Sequence, residues 1–282
     1  MLLFALYLLI ATVILITVAI FYVSSIAATP PKGRADDLFK ELSLKSGRVI
    51  ACIGDSLTHG NIGECWVDGL RNEYPEDTVI NEGINGDLVW QVNERIESII
   101  NCDPDIIILM IGSNDVMASF NKKSGERYKS SNKLPEIPTF ESYQKLLPKL
   151  LDNLNGTSKI ALCTLPPIGE NKDSAINEHI RKFNDFIELT ANNKNISLIP
   201  ISNLLWEELS KRTYPVKSDY DPSSLPIIRR IYGGMMHHYI FKKSWDEVAK
   251  SKGQWLLFDQ IHFGERAAKI LFNATKKYIS SL

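Results

Sequence analysis

The chain has 282 residues, a formal net charge of −1 at pH 7, 44% hydrophobic residues and 23% charged residues. This length is enough for one sizeable hydrophobic core, and the composition is that of a globular protein rather than a disordered one. The balanced charge gives no overall basic bias, so nucleic acid is not favoured as a partner.

An uncharged apolar segment runs from Leu2 to Val23. As a helix it would be about 33 Å long, enough to cross a hydrocarbon core of about 30 Å. Its length, and the absence of a preceding Lys or Arg, favour a retained anchor over a signal peptide, whereas the triplet Ser25-Ile26-Ala27 fits a cleavage site. We therefore expect residues 1–28 to be a single-pass membrane anchor, with a cleaved signal peptide and secretion as the alternative.

Residues 29–45 are predicted to form a linker that begins with prolines and includes a short helix, Asp36–Leu44. Lys32 and Arg34 follow the apolar segment and nothing basic precedes it, which favours a cytoplasmic catalytic domain. Three triplets fit the acceptor pattern for N-glycosylation, a modification of secreted proteins and therefore of the side opposite the cytoplasm. The side of the membrane on which the catalytic domain lies stays open.

Residues 46–282 alternate between short apolar runs and segments of helical periodicity. The predicted strands are Arg48–Ile53, Thr78–Asn81, Ile106–Ile111, Lys159–Thr164 and Ile196–Ile199. The predicted helices are Trp66–Glu73, Leu88–Ile100, Phe140–Leu154, Ser174–Ala191 and Gly264–Ser280. This alternation implies parallel pairing, and hence an α/β fold: a three-layer α/β/α sandwich with a central, mostly parallel sheet.

Two segments interrupt this rhythm. Residues 119–138 are polar and are predicted to be a loop, and residues 213–254 form an aromatic-rich insertion. The insertion either walls or covers a site, or packs as a subdomain that never touches substrate. It contains the adjacent His237 and His238, but no ligand spacing supports a metal there.

The four cysteines leave the redox compartment open. Cys52 and Cys163 fall in predicted core strands, where a free thiol behaves as a small apolar group. No Cys-x-x-Cys pair occurs, so a zinc site is not favoured. An even number of cysteines permits disulfides without requiring them.

Four short polar blocks carry the chemistry of the chain. Three follow predicted strands and the fourth precedes the last predicted helix: Gly54-Asp55-Ser56-Leu57, Asn81 to Asp87, Gly112-Ser113-Asn114-Asp115 and Asp259-Gln260-Ile261-His262. Open α/β folds place ligands at the carboxyl ends of their parallel strands, so a serine in such a turn is well placed to react. Each block alone would be explained by turn chemistry.

In this order the blocks resemble those of the GDSL esterases and lipases, also called SGNH hydrolases, over about residues 48–280. The family's blocks match Ser56, Gly86, Asn114 and His262, with Asp259 three residues before the histidine. The resemblance implies an SGNH, flavodoxin-like fold and an esterase that needs no cofactor and no metal. It also implies an oxyanion hole made of the backbone N–H groups of Ser56 and Gly86 and the side-chain amide of Asn114.

The residue types fit acyl transfer, which needs a nucleophile, a base, an orienter for that base and donors for the oxyanion. Ser56 supplies the hydroxyl. His262 is the preferred base, because among the five histidines only it has an acid, Asp259, three residues upstream in a terminal loop. His59 is a rival base, but it lies in the same turn as the serine; His179 falls within a predicted helix.

Other motifs are excluded or given structural roles. Thr58 stands where the second glycine of an α/β-hydrolase nucleophile elbow would be. Asp55 and Asp115, which neighbour the site residues, are expected to be structural carboxylates. No Walker lysine, dinucleotide-binding glycine pattern or His-Glu-x-x-His occurs.

We therefore expect a membrane-anchored serine esterase or lipase that hydrolyses an O-acyl ester through an acyl-serine intermediate. Candidate substrates are lipid esters, acetylated sugars and acyl thioesters, and the anchor slightly favours lipids. A transacylase with the same catalytic residues is one alternative. A binding protein that kept the fold and lost turnover is another.

Overall fold

The computed structural model describes residues 1–38, 47–154, 156 and 158–282. Five strands pair within these residues: β1 (Val49–Gly54), β2 (Thr78–Gly83), β3 (Ile106–Met110), β4 (Lys159–Cys163) and β5 (Ser197–Ile199). They form one sheet in the order β2-β1-β3-β4-β5, and every neighbouring pair is parallel.

Helices lie before, between and after the strands. They are α1 (Leu2–Ala28), α2 (Ala35–Leu38), α3 (Ser56–His59), α4 (Trp66–Glu73), α5 (Val89–Glu94), α6 (Ile96–Ile100), α7 (Ser113–Ser119), α8 (Lys122–Asn132), α9 (Phe140–Leu154), α10 (Ala175–Asn193), α11 (Ile201–Leu209), α12 (Ser224–Met235), α13 (Trp245–Ser251) and α14 (Glu265–Ile279). A π-helical turn, Met236–Ile240, continues α12.

Two hydrophobic cores lie on opposite faces of the sheet. Successive strand residues point to opposite faces, so Leu109 of β3 packs in the core with α5, α9 and α10, and Ile108 packs with α4, α11 and α14. Burial on both faces explains why β3 is an unbroken apolar run. The predicted three-layer α/β/α sandwich with a parallel sheet is therefore confirmed.

The register of the first three strands, which are neighbours in the sheet, positions the site. Gly54, the last residue of β1, is aligned with Gly83 of β2 and with Met110 of β3. The turns that follow these three strands therefore leave the sheet side by side at one edge. Those turns contain Ser56, Gly86 and Asn114.

Two observed boundaries near the end of β2 differ from the predicted ones, and both lie at an ion-pair network. β2 runs two residues further than predicted, since Glu82 and Gly83 pair with the end of β1. The buried Glu82 side chain also pairs with Arg34 at 3.0 Å and with Arg95 at 2.8 Å. The predicted helix Leu88–Ile100 divides into α5 and α6 at Arg95, where the backbone is not helical (φ −113°, ψ 12°). Apolar spacing carries no signal for such a charged anchor.

The prediction of a loop over residues 119–138 is wrong for most of the segment, which α8 occupies. The Asn121 side chain caps this helix by accepting a hydrogen bond from the Ser124 backbone N–H at 2.9 Å. Only Ser124 and Gly125 of α8 are fully buried. The helix therefore has no apolar stripe, which is the signal that a sequence pattern offers.

The insertion, residues 213–254, contains α12, the π-helical turn and α13. It builds a third apolar cluster in which Met235 and Trp245 pack with Phe258 and with Val23 of α1. The end of the N-terminal helix is thus part of the folded domain.

The N-terminal helix α1 includes 26 residues, Leu3–Ala28, with a mean hydropathy of 2.8, long and apolar enough to span a membrane. Signal sequences have the same composition. Of the predicted short helix Asp36–Leu44, α2 covers the first three residues, and the remainder lies outside the described residues. The division of the chain at residues 28 and 45 stays a prediction.

The buried carboxyl of Asp115 makes stability depend on pH. Its Oδ2 accepts a hydrogen bond from the Val89 backbone N–H at 3.1 Å, which joins α7 to α5. Burial, opposed by that bond and reinforced by nearby Asp55 and Asp87, raises the pKa of Asp115 to about 7. Because the pKa of Asp115 is higher in the folded protein than in the unfolded chain, protonation of this carboxyl stabilises the fold. The stabilisation is complete below about pH 4 and is lost as pH rises through about 7.

In the wild-type protein the free energy of unfolding should therefore fall between about pH 4 and 8. We expect Asp115→Asn to reduce this fall by roughly 1–4 kcal/mol. Denaturant unfolding of the full chain in detergent, at a series of pH values, measures this slope. The exposed Asp173→Asn change is the control and should leave the slope as in wild type. A wild-type slope in the Asp115→Asn variant would contradict the assignment.

Candidate active site

Ser56 begins the short helix α3, directly after β1. Asp55 caps this helix: its Oδ1 accepts a hydrogen bond from the Leu57 backbone N–H at 2.9 Å. Gly60 ends the helix with φ +83°, a conformation that favours glycine. Burial raises the pKa of Asp55 to about 7, against the effect of the Leu57 bond and the nearby His262. This tight turn fixes the Ser56 hydroxyl at the edge of the sheet.

A hydrogen-bond chain connects Asp259, His262 and Ser56. The Nδ1 atom of His262 lies 2.7 Å from Asp259 Oδ2, and its Nε2 atom lies 2.9 Å from Ser56 Oγ. The other carboxylate oxygen of Asp259 accepts from the backbone N–H groups of Ile261 at 2.9 Å and His262 at 2.7 Å. Burial alone would raise the pKa of Asp259, but the imidazole and these hydrogen bonds outweigh it, so the pKa lies below its ordinary value.

The loop that carries Asp259 and His262 is held by a buried carboxylate. Glu170, whose side chain is fully buried, accepts hydrogen bonds from the backbone N–H groups of residues 255–257 at 2.6–3.0 Å. Arg212 pairs with the same carboxylate at 2.9 Å. Charged acceptors make strong hydrogen bonds, so this contact fixes the loop relative to the end of β4.

Two backbone N–H groups near Ser56 Oγ have no acceptor within the described part of the chain: those of Ser56 and Gly86. Gly86 has φ +84°, which a residue with a side chain adopts only with strain. Ser56 and Gly86 line the same cavity. These donors are available to a ligand oxygen.

The Asn114 amide is the third donor group of the site. Its Nδ2 donates to the Asp87 carbonyl oxygen at 3.0 Å and lies 3.4 Å from Asp55 Oδ2, at the limit of a hydrogen bond. The Tyr128 hydroxyl, on α8, donates to Asn114 Oδ1 at 2.9 Å. Burial raises the pKa of Tyr128, so its hydroxyl remains a donor. Tyr128 thereby fixes which end of the Asn114 amide carries the N–H groups.

A cavity of about 250 Å³ opens at Ser56 and His262. Most of its wall is apolar, contributed by Ile62, Met117, Ile227, Ile228, Ile231 and Ile261. Among the described residues, Arg127 is the one Lys or Arg in this wall, and its guanidinium donates to the Pro222 carbonyl oxygen at 2.7 Å and to Ser224 Oγ at 3.2 Å. The site therefore presents polar donors at one end of a largely apolar space.

Three of the other four histidines make contacts elsewhere. His59 Nε2 lies 3.0 Å from the Thr29 carbonyl oxygen, and burial lowers the pKa of this ring to about 4. His179 Nε2 lies 2.9 Å from Ser119 Oγ. His238 stacks on Trp245, with ring centroids 4.0 Å apart. Among the described residues, no group of three or more His, Cys, Asp or Glu side chains is placed to hold a metal ion.

The structure brings together all five residues singled out from the sequence: Ser56, Gly86, Asn114, Asp259 and His262. It adds others that the sequence patterns missed. Tyr128 lay in a segment predicted to be a loop, although the Asn121 cap was a signal for its helix. Glu170 accepts hydrogen bonds from a loop that is some 85 residues away in the chain, and the isoleucines of α12 line a cavity with Ser56. No local sequence pattern marks such contacts.

Comparison with protein families matches residues 52–269 to the GDSL-like Lipase/Acylhydrolase family. No curated protein sequence matches the chain. The family match covers well over half of the chain, and it confirms the resemblance that the four polar blocks predicted.

Solved structures with a similar fold include Axe2, an acetylxylan esterase from Geobacillus stearothermophilus. It superposes with a TM-score of 0.57 at 20% identity, over 83% of this chain and 94% of Axe2. LAE5, an alpha/beta hydrolase enzyme from the metagenome of Lake Arreo, Spain, superposes with a TM-score of 0.54 at 19% identity, over 84% of this chain and 96% of LAE5. At these identities the likeness establishes the fold alone. Together with the family match, it leads to one conclusion: the chain belongs to the GDSL-like lipase/acylhydrolase family and is a hydrolase that acts on ester bonds.

Proposed function

We propose that the protein is a membrane-anchored serine esterase that hydrolyses a carboxylic ester through an acyl-serine intermediate. Ser56 is the nucleophile, His262 the general base and Asp259 the group that orients the base. The observation that carries this proposal is the hydrogen-bond chain from Asp259 Oδ2 through the His262 ring to Ser56 Oγ, with links of 2.7 and 2.9 Å.

In the first half of the reaction, Ser56 Oγ attacks the ester carbonyl carbon and its proton passes to His262 Nε2. Asp259 accepts the Nδ1–H hydrogen bond, which leaves the lone pair of Nε2 facing the serine. The negative carboxylate also stabilises the imidazolium that forms. When the tetrahedral intermediate collapses, the C–O bond to the alcohol breaks and His262 returns its proton to the departing alkoxide oxygen.

In the second half, water takes the place of the alcohol. His262 Nε2 accepts a proton from the water, whose oxygen attacks the acyl-serine carbonyl carbon. Collapse of the second tetrahedral intermediate breaks the bond to Ser56 Oγ, which regains a proton from His262. The carboxylic acid then leaves and the enzyme returns to its starting state.

The oxyanion of both intermediates is held by the backbone N–H groups of Ser56 and Gly86 and by the Asn114 amide. The free state of the two backbone donors supports this assignment, as does the position of all three groups in one cavity wall. Donors fixed in advance need no reorganisation when charge develops on the oxygen, and this gives them their large effect on rate.

The structural relatives offer a parallel for the catalytic residues. Three structures of Axe2 are described as catalytic mutants, in which a serine, an aspartate or a histidine is replaced by alanine. The aspartate and the histidine replaced there are three positions apart, as Asp259 and His262 are. Axe2 acts on acetylated xylan.

Retention of α1 as the anchor is supported by contacts at its end. Val23 is fully buried in the cluster that α12 and α13 build. The carbonyl oxygens of Ile26 and Ala27 accept hydrogen bonds from the side chains of Asn61, at 2.7 Å, and Asn85, at 2.9 Å. Cleavage after the triplet that ends at Ala27 would remove the Ala27 acceptor of Asn85, which lines the cavity beside Gly86.

Ser56→Ala and His262→Ala should each abolish acyl-enzyme formation, and Asp259→Asn should lower kcat by about 10⁴-fold because the ring loses its orientation. Hydrolysis of p-nitrophenyl acetate by the full chain in detergent measures these losses, and a competing alcohol in the same assay shows whether the acyl group passes to water. Ser224→Ala is the control, since Ser224 lines the same cavity without a place in the hydrogen-bond chain. Wild-type turnover by the Ser56→Ala protein would refute the nucleophile.

Tyr128→Phe should lower kcat about tenfold with little change in KM, because one neutral hydrogen bond that orients Asn114 is lost. Asn114→Ala should cost about 10²–10³ in kcat. Since Tyr128 acts through Asn114, the double variant should be no slower than Asn114→Ala alone. Additive losses in steady-state kinetics would show that Tyr128 acts by another route.

The protein isolated from membranes should keep residues 1–28. Intact-mass spectrometry of the purified chain measures this directly. Ala27→Leu destroys the small-x-small triplet and should not change where the chain begins. A wild-type mass that corresponds to a chain beginning at Ala28 would show that α1 is a signal peptide.

A further inference from the structure

The face that α12 turns toward the catalytic residues is mainly apolar. Ser224, Ile227, Ile228 and Ile231, at helical spacing, line the cavity next to Ser56. Ile228 is also 51% exposed, so it lies where the cavity meets the surface. An apolar side chain therefore borders the mouth of the cavity.

The end of α1 packs against the same helix. Val23 is buried with Met235, the last residue of α12, and Ser24 Oγ lies 3.2 Å from the Tyr232 hydroxyl. Ala27 accepts the hydrogen bond from Asn85 in the cavity wall. The exit point of the N-terminal helix and the mouth of the cavity are thus parts of one surface.

The length of α1 sets the height of that surface relative to a bilayer. Every side chain from Leu3 to Val18 is exposed, and these residues account for only about 24 Å of helix. A hydrocarbon core of about 30 Å needs about 20 residues, which extends the span from Leu3 to Tyr22. The next two residues, Val23 and Ser24, are those that contact the insertion. In an anchored protein, this length would place the surface formed by α12 and the π-helical turn at the membrane interface.

The composition of this surface suits a lipid environment. After residue 28, eight large apolar side chains are exposed among the described residues, and four of them lie from position 225 to 241: Leu225, Ile228, Ile240 and Phe241. The exposed cations Arg229, Lys242 and Lys243 lie between them or directly after them in the sequence. Apolar side chains interspersed with Lys and Arg are typical of segments that lie on anionic membranes.

We propose that α12 and the π-helical turn dock on the leaflet next to the end of α1, and that the substrate is a long-chain acyl ester that enters the cavity from this leaflet past Ile228. This inference rests on the proposed anchored esterase and adds its substrate class. Ile227, Ile228 and Ile231 contact the acyl chain, while the ester carbonyl reaches Ser56. The same surface that holds the enzyme at the bilayer thereby admits its substrate.

The test uses the full chain in vesicles of diether phosphatidylcholine and diether phosphatidylglycerol, which contain no ester bonds. Two esters are compared: p-nitrophenyl acetate in the water and p-nitrophenyl palmitate in the vesicle. The double variant Leu225→Glu/Phe241→Glu changes exposed residues that do not line the cavity. It should hydrolyse the acetate at the wild-type rate, which also shows that it is folded, and the palmitate about tenfold more slowly because docking is lost.

The matched control is Ile100→Glu/Leu189→Glu, which places the same charges at exposed apolar positions on α6 and α10 and should leave both rates unchanged. Wild-type turnover of palmitate by Leu225→Glu/Phe241→Glu would overturn the docking surface. A wild-type enzyme that cleaves acetate but not palmitate would overturn the substrate class and leave the esterase intact. Cleavage of neither ester would overturn the proposed function as well.

A second readout does not depend on activity. Phe241→Trp should add tryptophan emission that brominated lipid quenches, since position 241 then lies among lipid chains, whereas Leu189→Trp should add emission that is not quenched. Equal behaviour of the two variants would contradict docking through the π-helical turn.

Discussion

The site depends on the register of three parallel strands. Because Gly54, Gly83 and Met110 are aligned, the turns with Ser56, Gly86 and Asn114 leave the sheet at the same level. Arg95 locks two of these strand ends together, since its guanidinium donates to the Gly54 carbonyl oxygen at 3.3 Å and to that of Glu82 at 2.9 Å. A slip of one residue would turn each strand's side chains to the opposite face, so burial on both faces protects the alignment.

His262 reaches the site from outside the sheet. Its loop follows the insertion, and Glu170 holds it through backbone hydrogen bonds near the end of β4. The serine and the histidine are 206 residues apart, yet each is held by contacts close to its own turn. Asp259 keeps the His262 ring in place, and Tyr128 does the same for the Asn114 amide.

The sequence predicts the elements whose signals are local. Apolar runs mark the strands, and the polar blocks at their ends contain the residues that the structure gathers around one cavity. Residues whose burial depends on distant partners carry no such local signal: the buried Glu82 in β2 pairs with two arginines, and Glu170 binds a loop some 85 residues away. α8 was missed because a helix that buries mainly Ser124 and Gly125 has no apolar stripe. α12 is the most consequential of these elements, because it joins the end of α1 to the cavity wall.

The central claim is that Ser56 carries the acyl group during turnover. The most direct measurement is an acid quench of the full chain soon after mixing with p-nitrophenyl acetate, followed by peptide mass spectrometry. We expect one acetyl group on the peptide that contains Ser56, and none on that peptide when His262 is replaced by alanine. An acetyl group on another residue, or continued turnover with Ser56 unmodified at every quench time, would contradict the claim.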